Sequence, residues 1–151
     1  MGKYHVSRSV SIAADPGLVH RLVNDLHEWQ GWSPWEGLDP DLERSYSGPD
    51  AGVGAFYTWS GNRKAGQGSM EVTGSTPERV DVALTFLKPF RSTSDVTFDL
   101  VPDGLGTRVT WTMTGEQKGT MSLLGRVVPM DRLVGKDFER GLGRLKATAE
   151  A

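Results

Sequence analysis

The chain has no cysteine among its 151 residues. That excludes a disulfide framework, a thiol nucleophile and any thiolate-bound metal. No apolar run is long enough to span a bilayer, and there is no repeat or low-complexity stretch. The formal net charge is only −2, so nothing in the overall charge favours nucleic acid. Residues 1–8 lack the apolar core of a signal peptide. Val6 stands where a myristoylation site needs Ser or Thr. The expectation is a cytoplasmic protein without a transmembrane segment, its membrane contact transient at most. Catalytic motifs are also missing. His5, His20 and His27 have no metal-ligand spacing, and the expectation is no metal and no cofactor. The pairs Gly52/Gly54 and Gly66/Gly68 complete no nucleotide fingerprint, and there is no Gly-x-Ser-x-Gly elbow. Asp39 and Asp41 flank Pro40 and read as turn residues rather than an acid/base pair.

What the chain does have is tryptophan in a cluster: Trp29, Trp32 and Trp35 fall within seven residues. Each ring carries a large apolar area and one N–H donor, so such a cluster builds a core or lines a pocket. Around it the periodicity is clear. In 4–12, Val6, Arg8, Val10 and Ile12 share one face and His5, Ser7, Ser9 and Ser11 the other, which predicts a half-buried strand. Asp15-Pro16 predicts a helix start, and Leu18, Val19, Leu22, Val23 and Leu26 recur at helical spacing. From about 42 to 116, alternating apolar faces separated by short turns predict six strands of an antiparallel meander. Met130, Leu133, Val134, Phe138, Leu142, Leu145 and Ala149 form one stripe of a long helix, with Gly135 and Gly141 beside it. Interior glycine is costly in a helix, so close approach to the sheet is the reason to expect for both.

This order predicts an α+β protein, one domain over 1–151. A seven-stranded antiparallel sheet curls over a long C-terminal helix, with one or two short helices after the first strand. Such a curved sheet tends to leave a cavity under its helix, a ready small-molecule site.

In its order of elements the chain resembles the SRPBCC superfamily, the START/Bet v 1-like helix-grip fold, in its polyketide cyclase/dehydrase-like bacterial branch. The residues that carry this are Arg8-Ser9-Val10-Ser11-Ile12 with Asp15-Pro16, Trp32-Ser33-Pro34-Trp35, and Trp59-Ser60-Gly61-Asn62. Further on come Gly66-Gln67-Gly68-Ser69-Met70, Phe86-Leu87-Lys88-Pro89-Phe90 and the helical Gly135-Lys136-Asp137-Phe138-Glu139-Arg140-Gly141-Leu142. The resemblance implies a hydrophobic cavity under the long helix. It does not imply one activity, since the fold hosts transport proteins, cyclases and cochaperones.

Candidate cavity residues are the inward strand positions Tyr57, Trp59, Met70, Leu84, Phe86, Phe98, Trp111 and Met113, with Met130, Val134 and Phe138 from the helix. The competing reading of the same residues is an ordinary packed core. Under the resemblance, Trp32 and Trp35 seal the cavity floor. Loops 61–66, 87–91 and 116–120 meet at its mouth and bring Arg63, Lys64, Lys88, Phe90, Arg91 and Lys118 to a basic rim. Arg8 lies on an inward apolar face and needs a partner. It is either a polar anchor for a ligand or one half of an internal pair with a carboxylate such as Asp131 or Glu116.

The function expected is therefore binding or transport of a hydrophobic small molecule, a lipid, polyketide or isoprenoid. The alternatives are an aromatase/cyclase- or dehydratase-type enzyme, using polar groups from among Arg8, Tyr57, Ser60, Asn62 and Asp131, and a cochaperone-like interaction module. The oligomeric state is left open.

Overall fold

The N-terminal segment forms β1 (Gly2–Ile12), and the short helix α1 (Pro16–Asn24) follows as Asp15-Pro16 predicts. The Asp15 side chain caps α1 by accepting from the Gly17 N–H at 2.9 Å, and Pro16 takes the first helical position. A 3-10 turn at Glu28–Gly31 carries the first tryptophan. Six strands come next: β2 (Glu43–Ser47), β3 (Phe56–Ser60), β4 (Gln67–Thr76), β5 (Arg79–Lys88), β6 (Ser92–Asp103) and β7 (Gly106–Gln117). The long helix α2 (Met130–Glu150) closes the order. The computed structural model describes residues 2–37, 39–63, 65–88, 91–117 and 130–151, and for 2, 3, 116, 117 and 130–133 only the backbone.

All seven strands join one curved antiparallel sheet in the order β1-β7-β6-β5-β4-β3-β2, wrapped around α2. β1 pairs with β7 from Gly2↔Gln117 to Ile12↔Thr107, so the first strand closes onto the last. The polar outer face of these two strands is knitted by hydroxyls, Ser9 with Thr110 at 2.9 Å and Ser7 with Thr112 at 3.3 Å. No helix among the described residues is long and apolar enough to cross a membrane.

Helix α2 runs along β1, and two of its side chains satisfy the backbone of that edge. Lys146 Nζ donates to the Ser11 carbonyl at 3.0 Å, and Glu150 accepts from the Ala13 N–H at 2.7 Å. Satisfying edge groups in this way blunts a strand that would otherwise invite pairing with another chain. The glycine at 141 lets the helix approach closely. A Cβ there would stand 2.7 Å from Pro34 Cδ and 2.9 Å from Trp111 Cζ3. The sequence expectation of close approach at Gly141 holds. At Gly135 the near neighbour is the Arg8 guanidinium, which crosses the helix at that point.

Under α2 the described core is a closely packed aromatic stack. Phe138 lies flat on Trp111 at 4.0 Å and 7°, and Phe98 stacks on the opposite strand neighbour at 4.9 Å and 30°. Trp29 and Trp32 meet the Phe98 and Trp111 rings edge-on at 5.5–6.1 Å. The Trp111 N–H has no hydrogen-bond partner among the described residues. Leaving a donor unpaired costs about 1–3 kcal/mol. Burying a tryptophan removes up to about 250 Å² from water, worth about 6 kcal/mol at 25 cal/mol per Å². The area gain therefore outweighs the orphaned donor.

Candidate functional site

Because α2 follows β1, the β2–β5 side of the concave face is covered instead by the segment 26–36. Between that segment and the strands lies a cleft. Leu26, Trp29, Ser33, Trp35 and Glu36 form one wall, and Tyr46, Tyr57, Trp59, Met70 and Leu84 the other. Leu42 and Ala65 stand at its mouth. The free volume is about 30 Å³, room for about two waters, in a recess of about 480 Å³ that includes the open mouth. Ligand sites of drug-sized molecules run to about 300–1,000 Å³, so a ligand enters this cleft by displacing side chains at its mouth.

The strand wall is a ladder of rings. Register places Tyr46 opposite Tyr57 and Arg44 opposite Trp59, so all four share the inward face. The Tyr46 and Tyr57 rings lie 4.9 Å apart, and Tyr57 stacks on Trp59 at 5.9 Å and 19°. His27 extends the ladder outward, stacked on Tyr46 at 4.0 Å. The Trp59 indole has room because position 68, opposite it in β4, is glycine. A Cβ there would meet Trp59 Cη2 at 2.6 Å.

Three of the cleft's indole donors are occupied within the protein. Trp29 donates to the Val23 carbonyl at 2.9 Å, Trp59 to Ala65 at 2.9 Å, and Trp35 to Asp137 Oδ2 at 3.4 Å. The charged groups at the wall are paired as well, Arg44 with Glu36. Gln30 Nε2 donates to the Tyr46 oxygen at 2.7 Å.

Burial pushes the Tyr57 phenol up from 10.0 to about 12, with the neighbouring Tyr46 and Glu36 adding to the shift, and burial also raises Tyr46. The folded state thus favours neutral Tyr57. Its contribution to stability is complete below pH 10 and is lost as pH rises from 10 towards 12. Alkaline titration followed at 295 nm is expected to show a late tyrosine step near pH 12 that disappears in Tyr57→Phe. Loss of a step near pH 10 in that variant would contradict the buried-phenol assignment.

At the mouth, Asp39 joins two loops. Its Oδ1 accepts from the Asp41 N–H at 2.8 Å and its Oδ2 from the Asn62 N–H at 2.8 Å. The reading of Asp39 as a turn residue agrees with this geometry.

Of the sequence candidates, Tyr57, Trp59, Met70, Leu84 and Trp35 come together at the cleft. Trp32, Phe98, Trp111 and Phe138 sit in the packed stack, each fully buried. Met113 is buried in the core, and Phe86 and Val134 pack against it, half-buried. Arg63 and Lys88 are exposed and share an open groove at the β3–β4 hairpin, and Arg91 is exposed. Lys64, Phe90, Lys118 and the side chains of Met130, Asp131 and Glu116 lie outside what is described. Arg8 lies outside the cleft and ties β1 to α2, its Nε donating to Glu139 Oε2 at 2.9 Å. At these exposures such a pair contributes about 0–1 kcal/mol. Sequence reasoning gave Leu26, Ser33, Glu36, Leu42, Tyr46 and Ala65 no place in a site, whereas Trp29 belongs to the tryptophan cluster read as core or pocket lining.

The family model for polyketide cyclase / dehydrase and lipid transport proteins matches residues 3–150. The chain belongs to this family. Solved structures share the fold of this polyketide cyclase/dehydrase and lipid transport family member. Protein CV1439 from Chromobacterium violaceum superposes with a TM-score of 0.70 at 16% identity, over 97% of each chain. The di-domain ARO/CYC BexL from the BE-7585A biosynthetic pathway gives 0.70 at 16% identity, over 99% of this chain and 50% of that one. The Aha1 dimer protein from Colwellia psychrerythraea gives 0.63 at 17% identity, over 97% and 96%. At such identities the likeness is one of fold. No curated protein matches the sequence.

Proposed function

We propose that the protein binds an apolar, flat small molecule in the cleft between the segment 26–36 and strands β2–β5. The observation that carries this reading is the pairing of two aromatic walls, Trp29 and Trp35 against Tyr46, Tyr57 and Trp59, around a recess whose polar groups are few. Ligand sites have this composition: mostly apolar and aromatic lining with a small number of placed polar groups. A family spanning polyketide cyclases, dehydrases and lipid transport supports it. A cyclase or dehydrase step would need a group that gives or takes a proton at the substrate. Here the phenol of Tyr57 is held neutral and Glu36 is engaged by Arg44. These groups are suited to orienting a ligand rather than to moving protons, so binding is the preferred reading. A cochaperone-like role finds less support, because the outer face of β1 and β7 carries hydroxyl pairs rather than an apolar patch.

The uncharged fluorophore N-phenyl-1-naphthylamine tests the proposal. Saturable fluorescence enhancement is expected with the native protein. Ala65→Trp, which fills the mouth from a loop position, should weaken it tenfold or more, about 1.4 kcal/mol, with the thermal unfolding midpoint nearly unchanged. Equal affinity of this variant and the native chain would place the ligand elsewhere.

A further inference from the structure

Resting on the cleft as the binding site, its inventory of donors and charges narrows the ligand. Charge comes first. No Lys or Arg is among the described residues that line this cleft, and the guanidinium of Arg44, which reaches Glu36 of its wall, is neutralised by that pairing. A ligand carboxylate would arrive beside the Glu36 carboxylate and find no surplus positive charge. Burying an anion without a partner is costly, whereas a neutral oxygen needs only a hydrogen bond. The cations Arg63 and Lys88 belong to the separate open groove at the hairpin and do not line the cleft.

Donors come second. The indole N–H groups of Trp29, Trp35 and Trp59 are spent within the protein. Tyr46 and Tyr57 differ. The Tyr46 oxygen already accepts from Gln30 Nε2 at 2.7 Å. Each hydroxyl keeps its own proton to give, and among the described residues neither proton has an acceptor. The rings stand 4.9 Å apart on the same wall, so the two hydroxyls belong to neighbouring rungs of one ladder.

We propose that Tyr46 and Tyr57 are specificity residues that receive a hydrogen-bond-accepting oxygen of an uncharged planar ligand, and that the Glu36–Arg44 pair excludes the corresponding carboxylate. The site takes a neutral ketone, ester or quinone in preference to a free acid of the same size.

Three matched naphthalenes separate this inference from the reading it rests on. At pH 7, 2-acetylnaphthalene offers a neutral acceptor, 2-naphthoate an anion and 2-ethylnaphthalene the same bulk with no oxygen. Displacement of N-phenyl-1-naphthylamine is expected to rank the ketone about tenfold above both others. Tyr57→Phe should bring ketone and ethyl compound to within about twofold of each other. Tyr46→Phe, a second isosteric change, should reduce the same ketone advantage. If all three bind alike, or naphthoate binds best, the inference is overturned and the cleft stands as the site. A ketone advantage that persists in the Tyr46→Phe/Tyr57→Phe double variant also overturns it. If none of the three binds to the native protein, the cleft reading fails together with it.

Discussion

Trp32→Ala is expected to lower the free energy of unfolding by about 3–5 kcal/mol, the range for emptying a fully buried aromatic site. Trp32 is completely buried, and its ring packs on Trp29 at 4.6 Å and edge-on to Trp111 at 5.5 Å and Phe98 at 5.9 Å. It also performs a second task. Its N–H donates to the Leu22 carbonyl at 2.9 Å, and Trp29 does the same for Val23 at 2.9 Å. Those carbonyls belong to the last turn of α1, where no intrahelical donor remains. The tryptophan cluster thus caps a helix with its nitrogens while filling the core with its rings. Trp32→Phe keeps most of the area and removes only the donor, so it should cost less, about 1–3 kcal/mol. Since small domains are stable by about 5–15 kcal/mol, urea unfolding resolves the two variants easily. A cost below about 1 kcal/mol for Trp32→Ala would mean that the ring is not the packed wedge described here.

Phe138→Ala has the next largest effect, also about 3–5 kcal/mol. The Phe138 ring is fully buried and lies flat on Trp111 at 4.0 Å, with Trp35 edge-on at 6.4 Å. Alanine is the better helix former by about 0.5 kcal/mol, which offsets only a small part of the cavity left above Trp111. Close packing on both sides of that cavity prevents easy collapse, because Gly141 already brings the helix against Trp111 and Pro34. The expected readout is a lower urea midpoint with an unchanged denaturant slope.

The two substitutions bear on how much of this protein was legible in its sequence. Period-two alternation revealed which residues of each strand face inward, and Asp15-Pro16 and the 130–149 stripe located both helices. The sheet and its closing helix followed from those patterns. Alternation is silent on what an inward residue meets. Trp59 and Trp111 occupy equivalent inward positions on β3 and β7, yet one lines the cleft and the other is sealed under Phe138. The difference arises from where α2 lies. Following β1, it covers β7 and leaves β2–β4 to the tryptophan segment. That placement depends on contacts distant in sequence, such as Gly141 against Trp111 and Arg8 against Glu139. The same holds for the cleft residues that were missed. Glu36 acquires a role only through Arg44, and Leu42 and Ala65 only because Asp39 draws their two loops together.

The proposed binding places the ligand in the β2–β5 cleft and not in the aromatic stack beneath α2. The chain's five tryptophans, each with one indole N–H, report on both places. Titrating the ¹⁵N-labelled protein with N-phenyl-1-naphthylamine and following these five N–H signals by NMR is the most direct test. With ligand in the cleft, Trp29, Trp35 and Trp59 are expected to shift in proportion to occupancy while Trp32 and Trp111 move far less. Largest shifts at Trp32 or Trp111, or none at the three cleft tryptophans, would contradict it.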